Sequence, residues 1–123
     1  MRASSGSPFE DSIGFSRAFR TDDRVLVSGT APIGADDADA YGQARRCFEI
    51  IEAALRELGS NMKDVVRTRM FITDASYADA VGRAHGEIFG AVRPAATMVI
   101  VAGLLDPRWK VEIEAEAYIG DLP

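Results

Sequence analysis

The chain has 123 residues, 47% hydrophobic and 27% charged, with a formal net charge of −5 from 14 basic and 19 acidic side chains. That length suits one domain able to bury an unaided core. The acidic balance gains nothing from counterion release on a phosphate backbone, which makes nucleic acid an unlikely partner; no apolar run nears the ~20 residues of a membrane helix.

The chain opens Met1-Arg2-Ala3-Ser4-Ser5-Gly6-Ser7-Pro8, which lacks the apolar stretch of a secretory signal. Residues 1–12 read as a flexible tail and 13–123 as a single domain. Ile13 to Arg20 reads as a first strand, Asp22-Asp23 as a turn and Arg24 to Thr30 as a second strand, together a hairpin. Past a polar loop from Gly34 to Asp39, Ala44, Cys47, Phe48, Ile51, Leu55 and Leu58 recur at three- and four-residue steps. That spacing predicts an amphipathic helix over 39–58, closed by Gly59.

Val65 to Ile72 reads as a third strand. Ser76, with Asp79 three residues on, marks a capping box for a second helix that ends at Gly90. Ala96–Val101 and Trp109–Ile119 are the last two strands. In the final one Trp109, Val111, Ile113, Ala115, Ala117 and Ile119 point one way, and Lys110, Glu112, Glu114, Glu116 and Tyr118 the other.

The order β-β-α-β-α-β-β predicts an α+β domain with two helices on one face of a mixed sheet. Thr97-Met98-Val99-Ile100-Val101 is apolar on both sides, as in a strand covered on both faces. Two helices cover only one face, so the expected cover for the other is a second copy of the chain.

The Pro94-Ala95-Ala96-Thr97 strand followed by Val111-Glu112-Ile113-Glu114-Ala115 resembles the YjgF/Rid family of small trimeric proteins, as do Val27-Ser28-Gly29-Thr30, Gln43 at the first helix start, Val65-Val66-Arg67-Thr68 and the segment from Asp74 to Phe89. The resemblance spans Ile13 to Ile119. It implies a chorismate-mutase-like fold, a homotrimer with the three sheets forming an inner barrel, and ligand clefts at the subunit junctions. It also implies hydrolysis of reactive enamines and imines.

Within that resemblance Glu112 matches the glutamate that holds the attacking water. Phe15, Ser28, Gly29, Ala96, Met98 and Arg93 are the matching ligand-binding candidates. The family's deaminases keep an arginine for the substrate carboxylate where this chain has Ala96. A charged hydrogen-bonded pair contributes roughly 1.5–3 kcal/mol, so alanine there weakens carboxylate binding at least about tenfold. Arg93, Arg67, Arg69 and Arg17 are the candidates to replace it.

Other readings stand beside these. Glu112 also fits an edge carboxylate in water or in an ion pair, and Glu114 and Glu116 read as solvated or paired across an interface. His85 shares the apolar stripe of Val81 and Ile88, as a structural histidine does. Cys47, on the core face of the first helix, reads as a small hydrophobe; as the only cysteine it excludes an internal disulfide and suits a reducing, cytoplasmic setting. The sequence shows no metal-ligand spacing and no phosphate loop, so neither metal nor cofactor is expected. Two functions remain open: an enamine/imine hydrolase of altered specificity, and a non-catalytic protein that binds or senses a small metabolite. Ribonuclease chemistry is a distant third.

Overall fold

The computed structural model describes residues 1–120, so the last three residues of the expected 13–123 domain lie outside the described ones. Its elements are β1 (Arg2–Ala3), α1 (Pro8–Ile13), β2 (Ala18–Thr21), β3 (Arg24–Thr30), α2 (Ala40–Glu57), β4 (Val65–Ile72), α3 (Ala78–Phe89), β5 (Ala95–Ile100) and β6 (Val111–Tyr118). The six strands form one sheet in the order β1-β2-β3-β6-β4-β5. Every pairing is antiparallel except β4–β5, which α3 connects as a parallel crossover. The fold is the expected single-domain α+β arrangement on a mixed sheet, with one more helix and one more strand than the sequence suggested.

Both additions lie at the N-terminus, where a flexible tail was expected. Ser7 caps α1 through its side chain, Pro8 opens it, and Gly14 closes it at φ 91° in the left-handed region that favours glycine. Glu10 anchors the segment. It is buried, and its carboxylate accepts from the Ser5 backbone N–H and hydroxyl. The first strand is correspondingly shorter than Ile13 to Arg20, because Ile13 and Gly14 belong to α1 and its cap.

Asp39 caps α2, accepting from the Gly42 N–H at 2.8 Å, and Gly59 follows the helix at φ 83°. The cap of the helical segment that leads into α3 is Asp74, not Ser76. Its carboxylate accepts from the Ser76 N–H at 2.8 Å and starts a 3-10 turn over Ala75–Tyr77, which runs into α3. The apolar stripes of α2 and α3 meet the sheet in a single core that includes Phe48, Ile51, Leu55, Val81, Phe89, Val111, Ile113, Ala115 and Ala117. Phe48 meets Phe89 edge-on at 5.6 Å between ring centres and His85 at 5.9 Å. His85 bonds Thr68 at 2.8 Å, and burial lowers its pKa; it is a half-buried side chain that ties α3 to β4.

The alternation of β6 is as expected: Val111, Ile113, Ala115 and Ala117 are buried, and Glu112, Glu114, Glu116 and Tyr118 lie on the other, open face. Glu114 pairs with Arg69 at 3.0 Å, and Glu116 with Arg67 at 3.8 Å and Arg24 at 4.0 Å. These carboxylates are thus paired within the chain. On the same face Leu26 and Val99 are exposed, and Ile100 at the end of edge strand β5 is 62% exposed. Among the described residues no helix is long and apolar enough to cross a membrane.

Candidate functional site

A cavity of about 50 Å³ opens beside Glu112, where the start of β6, the end of β3 and the N-terminal segment converge. Three local features shape it. The first is a register shift between β3 and β6 over Val27–Thr30, a bulge of the kind that re-aims side chains beside sites. The second is Gly29 within that bulge. A Cβ there would lie 3.3 Å from the Glu112 carboxyl carbon and 3.5 Å from each of its oxygens, so the missing side chain is what admits the carboxylate. The third is α1, whose Phe9 meets Trp109 edge-on at 6.2 Å and, with Ile13, walls the cavity.

Arg17 is the cation of this site. It is only 4% exposed, donates from Nη2 to the Gly29 carbonyl at 2.8 Å, and lies 5.2 Å from the centre of the Phe15 ring. Burial lowers its pKa, and the charges of Glu10 and Glu112 oppose that shift. Its Nε has no hydrogen-bond partner among the described residues. Burial raises the Glu112 pKa above the ordinary carboxylate value, the Arg17 charge works against this, and Glu114 adds to it. A carboxyl that is half-buried, lifted in pKa and set in one cavity with a fixed guanidinium is equipped to take up and return a proton.

Of the candidates named from sequence, Phe15, Gly29, Arg17 and Glu112 meet here. Ser28 adjoins them, but its hydroxyl donates to the Ser16 carbonyl at 2.7 Å. Ser28 lines a wider groove of about 720 Å³ on the other side of Phe15, shared with Phe19 and Leu26 and lacking Glu112. Arg67 and Arg69 are committed to Glu116 and Glu114. Arg93 is exposed in the turn before β5, at φ 55°. Met98 pairs with Met70 and packs against the core.

Ala96 is not beside Glu112 within one chain. Glu112 is level with Phe71, which is level with Val99, while Ala96 pairs with buried Thr68. Two strand spacings and three residues separate them, roughly 14 Å, and they fall on alternate rows of the pleat. Any meeting of the two positions needs a second subunit.

Sequence reasoning missed Trp109, Ile33, Leu105 and Phe9 as cavity walls, and Gln43 as the support behind them. Trp109 looked like the first residue of the last strand. In the structure it precedes β6, is buried, and donates from Nε1 to Asp36 at 2.7 Å. Gln43 carried a usable signal, a polar side chain four residues before Cys47 on an otherwise apolar stripe. It is fully buried; Nε2 donates to the Asp36 and Arg108 carbonyls, each at 3.0 Å, and Oε1 accepts from the Lys110 N–H at 2.7 Å. Cys47 is a buried thiol whose pKa burial pushes up, so it stays protonated. Among the described residues no group of three or more His, Cys, Asp or Glu is placed to hold a metal.

Residues 8–119 match the sequence model of the family described as Endoribonuclease L-PSP. A crystal structure of Rv2704 from Mycobacterium tuberculosis, titled a member of the YjgF/YER057c/UK114 family, superposes with a TM-score of 0.91. It is 44% identical over 97% of this chain and 98% of that one. The chain belongs to the YjgF/Rid family. Among curated relatives of this family member, the uncharacterized protein SCO2049 of Streptomyces coelicolor is 42% identical over 97% of the chain and 92% of its own length. A RutC family protein of Pyrococcus abyssi is 30% identical over 85% of each.

Gly29→Ala tests the fit between β3 and Glu112. The new Cβ forces the carboxyl aside by a few tenths of an ångström without straining the backbone. For a reacting Glu112, turnover is expected to fall about tenfold, since small misplacements of a reacting group are costly, with the melting temperature nearly unchanged. A Gly29→Ala protein with full activity would show that the Glu112 position does not matter.

Proposed function

We propose that this Rid-family protein is a hydrolase of small enamines and imines, with Glu112 as its acid/base. The observation that carries the reading is Glu112 itself: a carboxyl of raised pKa in a small, largely apolar cavity, flanked by Phe15, Gly29 and Arg17. The reaction is R₂C=NH + H₂O → R₂C=O + NH₃. Glu112 takes a proton from water as the water oxygen bonds to the imine carbon and the C=N π pair moves to nitrogen. The same carboxyl returns the proton to nitrogen, giving the carbinolamine; it then carries the hydroxyl proton to the amino nitrogen as the C–N bond breaks, so that ammonia leaves and the carbonyl forms. An enamine enters by first tautomerising to the imine.

The family resemblance and the surface of β5 together support a homotrimer with clefts at the subunit junctions. Val99, Ile100 and Leu26 are exposed apolar side chains on one chain, and β5 is a sheet edge. Sedimentation is expected to give three times the chain mass, alongside ammonia release above the spontaneous rate from imines generated in situ. A monomer, or no release from any imine, overturns the corresponding half of the proposal.

Ala96 favours a second reading, a binding or sensing protein without turnover. It predicts ligand-dependent rises in melting temperature with no ammonia released.

A further inference from the structure

Among the described residues Arg17 is the only cation that this chain places in the cavity wall, and the deaminase arginine position is an alanine. If Arg17 gripped a substrate carboxylate, it would present two parallel N–H donors to it, as guanidinium–carboxylate pairs do. Its geometry is different. One terminal nitrogen is held by the Gly29 carbonyl at 2.8 Å, and the guanidinium lies against the Phe15 ring. The charges of Glu10 and Glu112 already act on its single positive charge. With both ionised these three groups of the chain carry one net negative charge, which disfavours a third carboxylate nearby.

What Arg17 has to spare is one buried donor, Nε–H, unpartnered among the described residues. A buried N–H without an acceptor is costly, and a neutral oxygen satisfies it without adding charge. Apart from Ser7 and the Gly29 backbone the remaining wall is apolar, chiefly Phe9, Ile13, Phe15, Ile33, Leu105 and Trp109. The volume of about 50 Å³ suits only a small ligand.

Resting on the hydrolase reading above, we propose that Arg17 and Glu112 together hold the attacking water, Nε–H donating to its oxygen and the carboxylate accepting its proton. The substrate is then a small imine without a carboxylate, the condensation product of ammonia with a short apolar aldehyde or ketone. The water oxygen becomes the carbonyl oxygen, so Arg17 keeps its hydrogen bond from ground state to product. The apolar wall receives the two carbon substituents.

Two imines that differ only in this group decide the matter: propan-2-imine and 2-iminopropanoate, formed in situ by an amine oxidase and an amino-acid oxidase. The unmodified protein is expected to show kcat/KM at least tenfold higher for propan-2-imine. Equal rates, or a preference for the carboxylate, overturn the inference and leave the hydrolase reading standing. No turnover of either overturns both.

Arg17→Gln and Arg17→Met separate the two roles of the arginine. A water-holding Arg17 predicts lower kcat for both imines at little-changed KM, with the glutamine variant the more active. A carboxylate clamp predicts a raised KM for 2-iminopropanoate alone, which refutes the assignment. The substrate comparison needs no variant, so an Arg17 variant that fails to fold leaves the test intact.

Discussion

Glu112→Gln is expected to lower ammonia release by roughly two to four orders of magnitude, the usual contribution of a positioned acid/base, while leaving the fold intact. Its stability is informative too. Burial is the largest influence on the Glu112 carboxyl and raises its pKa above 4.5, so the folded chain holds the proton more tightly than the unfolded chain. The stability this confers is complete below the unfolded value and is lost as pH rises through the folded one. At neutral pH the ionised carboxylate therefore disfavours folding on balance. Glutamine in its place should melt at or a few degrees above the parent temperature at pH 7, and the difference should vanish toward pH 4.5. In the parent protein the acidic limb of kcat/KM should lie above pH 4.5 for the same reason. A Glu112→Gln protein melting several degrees lower at pH 7 would show that the Arg17 attraction outweighs burial, against the direction argued here.

Gln43→Leu is expected to be costly although Gln43 does not line the cavity. The leucine fits the buried volume but abandons the carbonyls of Asp36 and Arg108 and the N–H of Lys110. Each buried backbone group left unmet costs about 1–3 kcal/mol, and the three share one neighbourhood, so a total near 3 kcal/mol is reasonable. In a domain of this size that lowers the melting temperature by about 10 °C. The loss should also be seen locally. Trp109 is the only tryptophan and lies between two of these contacts, so its fluorescence should shift to the red before the helices melt. Gln43→Glu keeps the acceptor for Lys110 and loses both donors, so it should fall short of the parent on both measurements. A leucine variant as stable as the parent would mean these carbonyls find water instead.

Much of the architecture was legible because periodicity is a local signal. The two-residue alternation of Val111 to Tyr118 and the three-and-four spacing from Ala44 to Leu58 each fix a face without reference to the rest of the chain. The N-terminal segment was not legible, because its order depends on distant partners. Glu10 gains from burial only once Ser5 and Arg17 are beside it, and Ser-Gly-Ser composition alone reads as flexible. The site divides along the same line. Glu112 and Gly29 were identifiable by resemblance, but that Arg17, among four arginines, is the one beside them follows from the β3 bulge, which no short pattern reveals. Ala96 carried family information about a neighbour it does not have within its own chain.

Phe9, Phe15 and Arg17 come from the first seventeen residues, and Trp109 and Glu112 from the last fifteen. The cavity therefore has no local precursor. During synthesis its first walls emerge early and wait for a strand about a hundred residues downstream, and closing a loop of that length is among the slower steps available to a small domain. The cavity is complete only once β6 has paired with β3. A fragment ending before β6 would contain both amphipathic helices and lack Glu112.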